Sequence, residues 1–122
     1  WNLSGDNFME LHLLFEDQYT AVAEAIDEVA ERISTLGGVA VGTTAEFSKL
    51  SQLKETPGKI PTVQEMLREL VGDHETIVKS LRKNLDVVEE KYGDAGTSDF
   101  LNGLMQGHEK MAWKLRKYFK EA

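Results

Sequence analysis

The chain has 122 residues, of which 41% are hydrophobic, two are proline and none is cysteine, and its formal net charge is −7. This length suits one domain, expected over residues 1–122; the ordinary apolar content argues against disorder, and no stretch approaches the roughly 18 apolar residues of a membrane span. Lack of cysteine excludes disulfides, thiolate zinc sites and a cysteine nucleophile, while the negative charge disfavours a simple phosphate-binding surface, which needs clustered Lys and Arg.

The first helix should open near Asp6 or Asn7, with Glu10 at capping-box spacing from Asn7, and end at Leu36 before Gly37 and Gly38. Its apolar residues Phe8, Leu11, Phe15, Val22, Ile26, Val29, Ile33 and Leu36 follow three-and-four spacing with one gap at Tyr19. That pattern predicts an amphipathic helix of roughly 30 residues. Thr43 with Glu46 is a second capping signal and should start a short helix running to about Leu53. Pro57, Gly58 and Pro61 then break the chain.

Thr62 with Glu65 predicts a third capped start, of a long helix with an apolar seam of Val63, Leu67, Leu70, Ile77, Leu81, Leu85 and Val88, ending near Tyr92 before Gly93. After a turn over residues 93–96, Thr97 is expected to cap a last helix that carries Leu101, Leu104, Met105, Met111, Leu115 and Phe119 inward. Lys110, Lys114, Arg116, Lys117 and Lys120 near its end complement the helix dipole. The pattern is all-α: three long helices and one short one, an incomplete four-helix bundle. Trp1 is not a translation start, so the partner helix is expected either upstream of Trp1 or on another subunit, the upstream segment being the simpler source. A signal peptide cannot be judged from this start, and the cytoplasm is the default location.

Within the first helix, His12 and Glu31 lie equally far on either side of a point between Ala21 and Val22, and so do Glu16 and Asp27. At about 100° per residue the four fall on one stripe roughly 100° wide. On one helix His12 and Glu31 are roughly 28 Å apart, too far to share a metal. Two copies packed antiparallel about a dyad would instead bring His12 and Glu16 of one chain against Glu31 and Asp27 of the other. Each of the two sites would offer one imidazole and three carboxylates, a hard donor set suited to iron or manganese. An ordinary solvated helix face accounts for the same residues.

His74 sits on the seam of the third helix between Leu70 and Ile77, and His108 sits similarly between Leu104 and Met111. Both read as core histidines rather than ligands, with Asp73 or Glu109 as possible hydrogen-bond partners. Gly103 and Gly107 form a GxxxG that predicts close backbone approach. There is no glycine-rich phosphate loop, nucleophile elbow or HExxH, so nucleotide-binding and hydrolase readings have no support.

The run from Trp1 to Phe8 (WNLSGDNF), then Leu11-His12, the segment 27–33 (DEVAERI) and Leu36-Gly37-Gly38 closely resemble the Dps mini-ferritins, the DNA-binding proteins from starved cells. The likeness continues through Gly42-Thr43, Asp73-His74-Glu75, His108-Glu109-Lys110 and Ala112-Trp113, covering essentially the whole chain. It implies a ferritin-like four-helix bundle with a short helix between the second and third long helices, most of the first long helix lying outside this sequence. It also implies a hollow dodecamer that oxidises Fe(II), typically with hydrogen peroxide, and stores the ferric mineral, with two-iron centres at two-fold interfaces. Such a protein protects against oxidative damage.

By this resemblance His12, Asp27 and Glu31 match the family's catalytic metal ligands, and Trp1 matches a tryptophan beside the centre. Glu16 is a fourth metal ligand, standing where the family more often has Asp. The family's other ligand histidine directly precedes that tryptophan and so would lie just upstream of Trp1. Asp94 and Asp99 match an acidic region lining a three-fold iron-entry pore. The family's basic DNA-binding tail usually lies at the N-terminus, which leaves DNA binding undecided and disfavoured here. Two rivals are a noncatalytic DNA-compacting shell and a helical adaptor or phosphotransfer bundle using an exposed His74.

Overall fold

The computed structural model describes residues 1–119, which contain four helices and no strand: α1 (Phe8–Thr35), α2 (Thr44–Leu50), α3 (Val63–Tyr92) and α4 (Ala95–Arg116). Two compact units divide the chain, Trp1–Lys59 with α1 and α2, and a second from Ile60 onward with α3 and α4.

In the first unit α1 begins one residue after Asn7, but the Asn7 side chain makes no capping hydrogen bond, so the expected capping box is absent. Leu11 is 1% exposed, and Gln18 is 7% exposed in the gap of the apolar pattern, where a polar residue had hidden a buried position. Past its midpoint the expected inward seam is open: Ile26, Val29, Ile33 and Leu36 are all exposed. The extensive helix–helix packing among the described residues is that of α3 on α4. Thr43 caps α2 through a 3.3 Å bond accepted from the Glu46 backbone N–H, and the helix stops at Leu50, three residues earlier than expected, where Ser51 turns extended.

In the second unit the capping box of Thr62 and Glu65 forms in both directions. Leu67, Val71, Val78 and Leu85 of α3 are buried, as are Ala112 and Leu115 of α4. Val71 and Val78 lie one position beyond the seam read from spacing, because two close-packed helices bury a wider stripe than a single file. Burial of this apolar surface, at about 25 cal/mol per Å², is the main force holding the pair together.

Gly93 ends α3 in the left-handed region at φ 58°, a conformation glycine adopts without the Cβ clash that other residues incur. The next residue starts α4: Asp94, not Thr97, is the cap, accepting from the Thr97 backbone N–H at 3.1 Å. Across the turn the buried Ser98 hydroxyl donates to Glu89 at 2.6 Å, tying the two helices at this end. Gly103 and Gly107 are exposed, and a Cβ at either would meet nothing within 4 Å in this chain, so the GxxxG marks no close approach among the described residues. Phe119 lies beyond the end of α4, half-buried, with the Arg68 guanidinium 5.7 Å from its ring centroid. Lys120 lies outside the described residues.

Candidate metal centre

All four proposed ligands stand on α1, whose 28 residues are unbroken helix, so the stripe read from spacing exists as a continuous surface. His12 is half-buried, and Glu16, Asp27 and Glu31 are exposed. The His12 ring stacks on Phe8, centroids 5.2 Å apart and planes 25° apart, which restricts the imidazole's rotation. One turn after Glu31, the Thr35 hydroxyl donates to the Glu31 backbone carbonyl at 2.8 Å, leaving the carboxylate unengaged by that bond.

Among the described residues no three His, Asp or Glu side chains of this chain gather closely enough to hold a metal. That follows from a single straight helix, which keeps the two ends of the stripe roughly 28 Å apart. Trp1 is 96% exposed. Asp94 is partly buried, with both carboxylate oxygens turned to Thr97 as the α4 cap, and Asp99, five residues later, is exposed.

The most distinctive buried chemistry is elsewhere. His74 of α3 and His108 of α4, 6% and 8% exposed, meet through their Nδ1 atoms at 2.9 Å, with ring centroids 5.1 Å apart and planes tilted by 49°. They pair with each other rather than with the Asp73 or Glu109 carboxylates expected. Burial, and then the neighbouring His108, pushes His74 down to about 4, and burial lowers His108 as well. The Asp73 carboxyl is raised by burial and by Glu69 one turn earlier. A surface groove of about 250 Å³ on the α3–α4 hairpin is lined by Glu75, Val78, Lys79, Arg82, Glu109, Ala112 and Arg116, none of them a candidate ligand.

Comparison with known proteins adds what geometry within one chain does not. The profile of the ferritin-like domain matches residues 1–122. Dps from Thermosynechococcus elongatus superposes with a TM-score of 0.93 at 34% identity, covering 100% of this chain and 76% of that one. The chain belongs to the Dps family of ferritin-like proteins. A Dps protein of Vibrio cholerae, described as a member of a broad superfamily of ferritin-like diiron-carboxylate proteins, superposes with a TM-score of 0.90 at 33% identity over 98% of this chain and 74% of its own. A low temperature-induced protein of Nostoc sp. is 42% identical over 118 residues, and the chain spans 97% of itself but 66% of that relative's length. The all-α architecture therefore carries the ferritin-like fold of these Dps structures.

Proposed function

We propose that this chain is the subunit of a ferroxidase that oxidises Fe(II) and stores the ferric product inside a hollow homo-oligomeric shell, iron being both substrate and cargo. The observation that carries this reading is the α1 stripe, an imidazole and three carboxylates at dyad-related positions on one open helix face. One nitrogen and several anionic oxygens per site are a donor set that fits iron.

A second copy packed antiparallel on α1 would supply what one chain lacks. Met9, Leu13, Tyr19 and Ile26, on or beside the stripe, are each more than half exposed, which gives that copy apolar surface to cover. His12 and Glu16 of one chain then hold iron with Asp27 and Glu31 of its partner, Glu31 bridging two ions. Phe8 keeps His12 in place, and Trp1 lies beside the centre. Each Fe(II) gives up one electron; the two electrons, with two protons, cleave hydrogen peroxide to two waters, so no hydroxyl radical is released. The protein contributes ligation, proximity of the two ions and an acidic surface for the ferric product.

The shell is a dodecamer in the cytoplasm, and Asp94 and Asp99 belong to an acidic entry pore, where carboxylates attract cations. No helix among the described residues is long and apolar enough to cross a membrane. The adaptor reading needs an exposed His74, and its burial in the hairpin disfavours it. A noncatalytic DNA-compacting shell would show a gel shift that weakens steeply with salt and no peroxide-dependent iron oxidation. The deciding experiment is stopped-flow Fe(II) oxidation by peroxide, in which Glu31→Ala and His12→Ala should each be at least about tenfold slower. Unchanged rates in both variants would remove these residues from the centre.

A further inference from the structure

The ferroxidase reading makes no use of the two most buried ionisable side chains. His74 of α3 and His108 of α4 lie 34 residues apart in the chain, and their Nδ1 atoms approach to 2.9 Å in a setting almost closed to water. Two neutral imidazoles satisfy this contact in one way only: one ring carries its proton on Nδ1 and donates, and the other carries its proton on Nε2 and accepts. The hydrogen bond is therefore an inventory of protons as well as a tie between helices.

We infer that the His74–His108 pair is a two-step acid latch on the α3–α4 hairpin, whose hydrogen bond survives uptake of one proton and is lost on uptake of the second. The first proton adds at Nε2 of the donating ring, turning it into an imidazolium that still donates from Nδ1 to its neutral partner. Such a bond is charge-assisted, so the tie holds. The second proton has only the accepting Nδ1 to occupy. Two N–H groups then face each other in a buried space, with two like charges beside them, and the rings must part.

Burial resists both steps and mutual repulsion resists the second, in agreement with the larger depression of His74, to about 4, for which His108 is the second cause. In the chain, Asp73 and Glu75 flank His74 on α3, and Glu109 and Lys110 follow His108 on α4. Glu75 pairs with Arg116 at 3.6 Å, and Asp73 is itself raised by burial and Glu69. The Nδ1–Nδ1 contact involves none of them. The Ser98–Glu89 bond holds the turn end of the same hairpin. Parting the imidazoles would consequently loosen α3 from α4 along the middle of their length while the turn remains tied.

Two mass-spectrometric readouts on the assembled protein test this between pH 3 and pH 8. Imidazole C2–H exchange reports each histidine's titration, and backbone amide exchange reports hairpin opening. The expected result is two separated histidine steps, both below the single step of the urea-unfolded protein, with amide exchange around residues 74 and 108 accelerating at least about tenfold across the lower step only. In His74→Gln/His108→Gln, whose side-chain amides can pair without titrating, that acceleration should vanish. One common titration at the unfolded value, or hairpin opening with the first proton, would overturn the latch. If the double variant does not fold, the histidine exchange of the wild-type protein decides alone.

Discussion

His12 stands one turn after Phe8 on α1, and the two rings stack with centroids 5.2 Å apart and planes within 25°. A metal-binding imidazole is useful only if its lone pair is aimed, and a stacked neighbour limits the rotamers from which it must be recruited. Phe8→Leu keeps an apolar side chain at this half-buried position but removes the ring. Co(II) affinity, measured by calorimetry on the assembled protein, should fall about tenfold, with the melting temperature little changed. Unaltered affinity would show that His12 needs no such support.

Glu16 occupies the position where the family more often has Asp, and its carboxylate reaches one methylene, roughly 1.5 Å, further. If it serves the second iron of each centre, Glu16→Asp should tighten that ion, whereas Glu16→Ala should lose it. Anaerobic Fe(II) titration is expected to give two ions per centre for Glu16→Asp and one for Glu16→Ala. Equal stoichiometry in the two variants would separate Glu16 from the site.

Proton linkage gives the hairpin an acid dependence of defined sign. Because His74 and His108 are held below their ordinary value, the unfolded chain takes up their protons first as the pH falls. The contribution of His74 to stability is complete above about 6.5, declines through the window down to about 4, and is level below it, and His108 acts in the same direction. Asp73 works in the opposite sense: its raised carboxyl destabilises the folded state at neutral pH and ceases to do so on protonation. Urea midpoints should therefore fall between pH 6.5 and pH 4, and Asp73→Asn should raise the midpoint at pH 7. A flat profile, or destabilisation by Asp73→Asn, would contradict these assignments.

The helices α1 and α3 respond differently to loss of the polar residue at their start. Thr62→Ala breaks a reciprocal capping box and should cost about 1 kcal/mol. Asn7→Ala removes a side chain that makes no capping bond, and its cost should stay within about 0.5 kcal/mol. Comparable losses in chemical denaturation would show that Asn7 caps α1 after all.

The starts and stops of α3 were legible because Thr62, Glu65 and Gly93 act through local backbone chemistry that tertiary packing does not override. The start of α4 was misplaced by three residues for a related reason: Asp94 and Thr97 are both good caps, and the left-handed Gly93 lets α4 begin immediately after α3 ends. Gln18 escaped notice because a buried polar residue carries no hydrophobic signal, although the gap at Tyr19 marked where it lay. His74 and His108 were legible singly as core residues, but their pairing depends on the register between α3 and α4, which periodicity does not encode. The four α1 residues were legible as a stripe, since a straight helix fixes their angular positions, whereas the partner that would complete each site lies outside the chain's own geometry.

The central claim is that each metal centre draws ligands from both ends of α1, on two different chains. Crystals soaked anaerobically with Fe(II) and measured on both sides of the iron absorption edge test it most directly. The account predicts anomalous peaks on the two-fold axis-related interface, bound by His12 and Glu16 of one protomer and Asp27 and Glu31 of its partner. Iron bound only elsewhere, or ligated at this interface without these four residues, would contradict it.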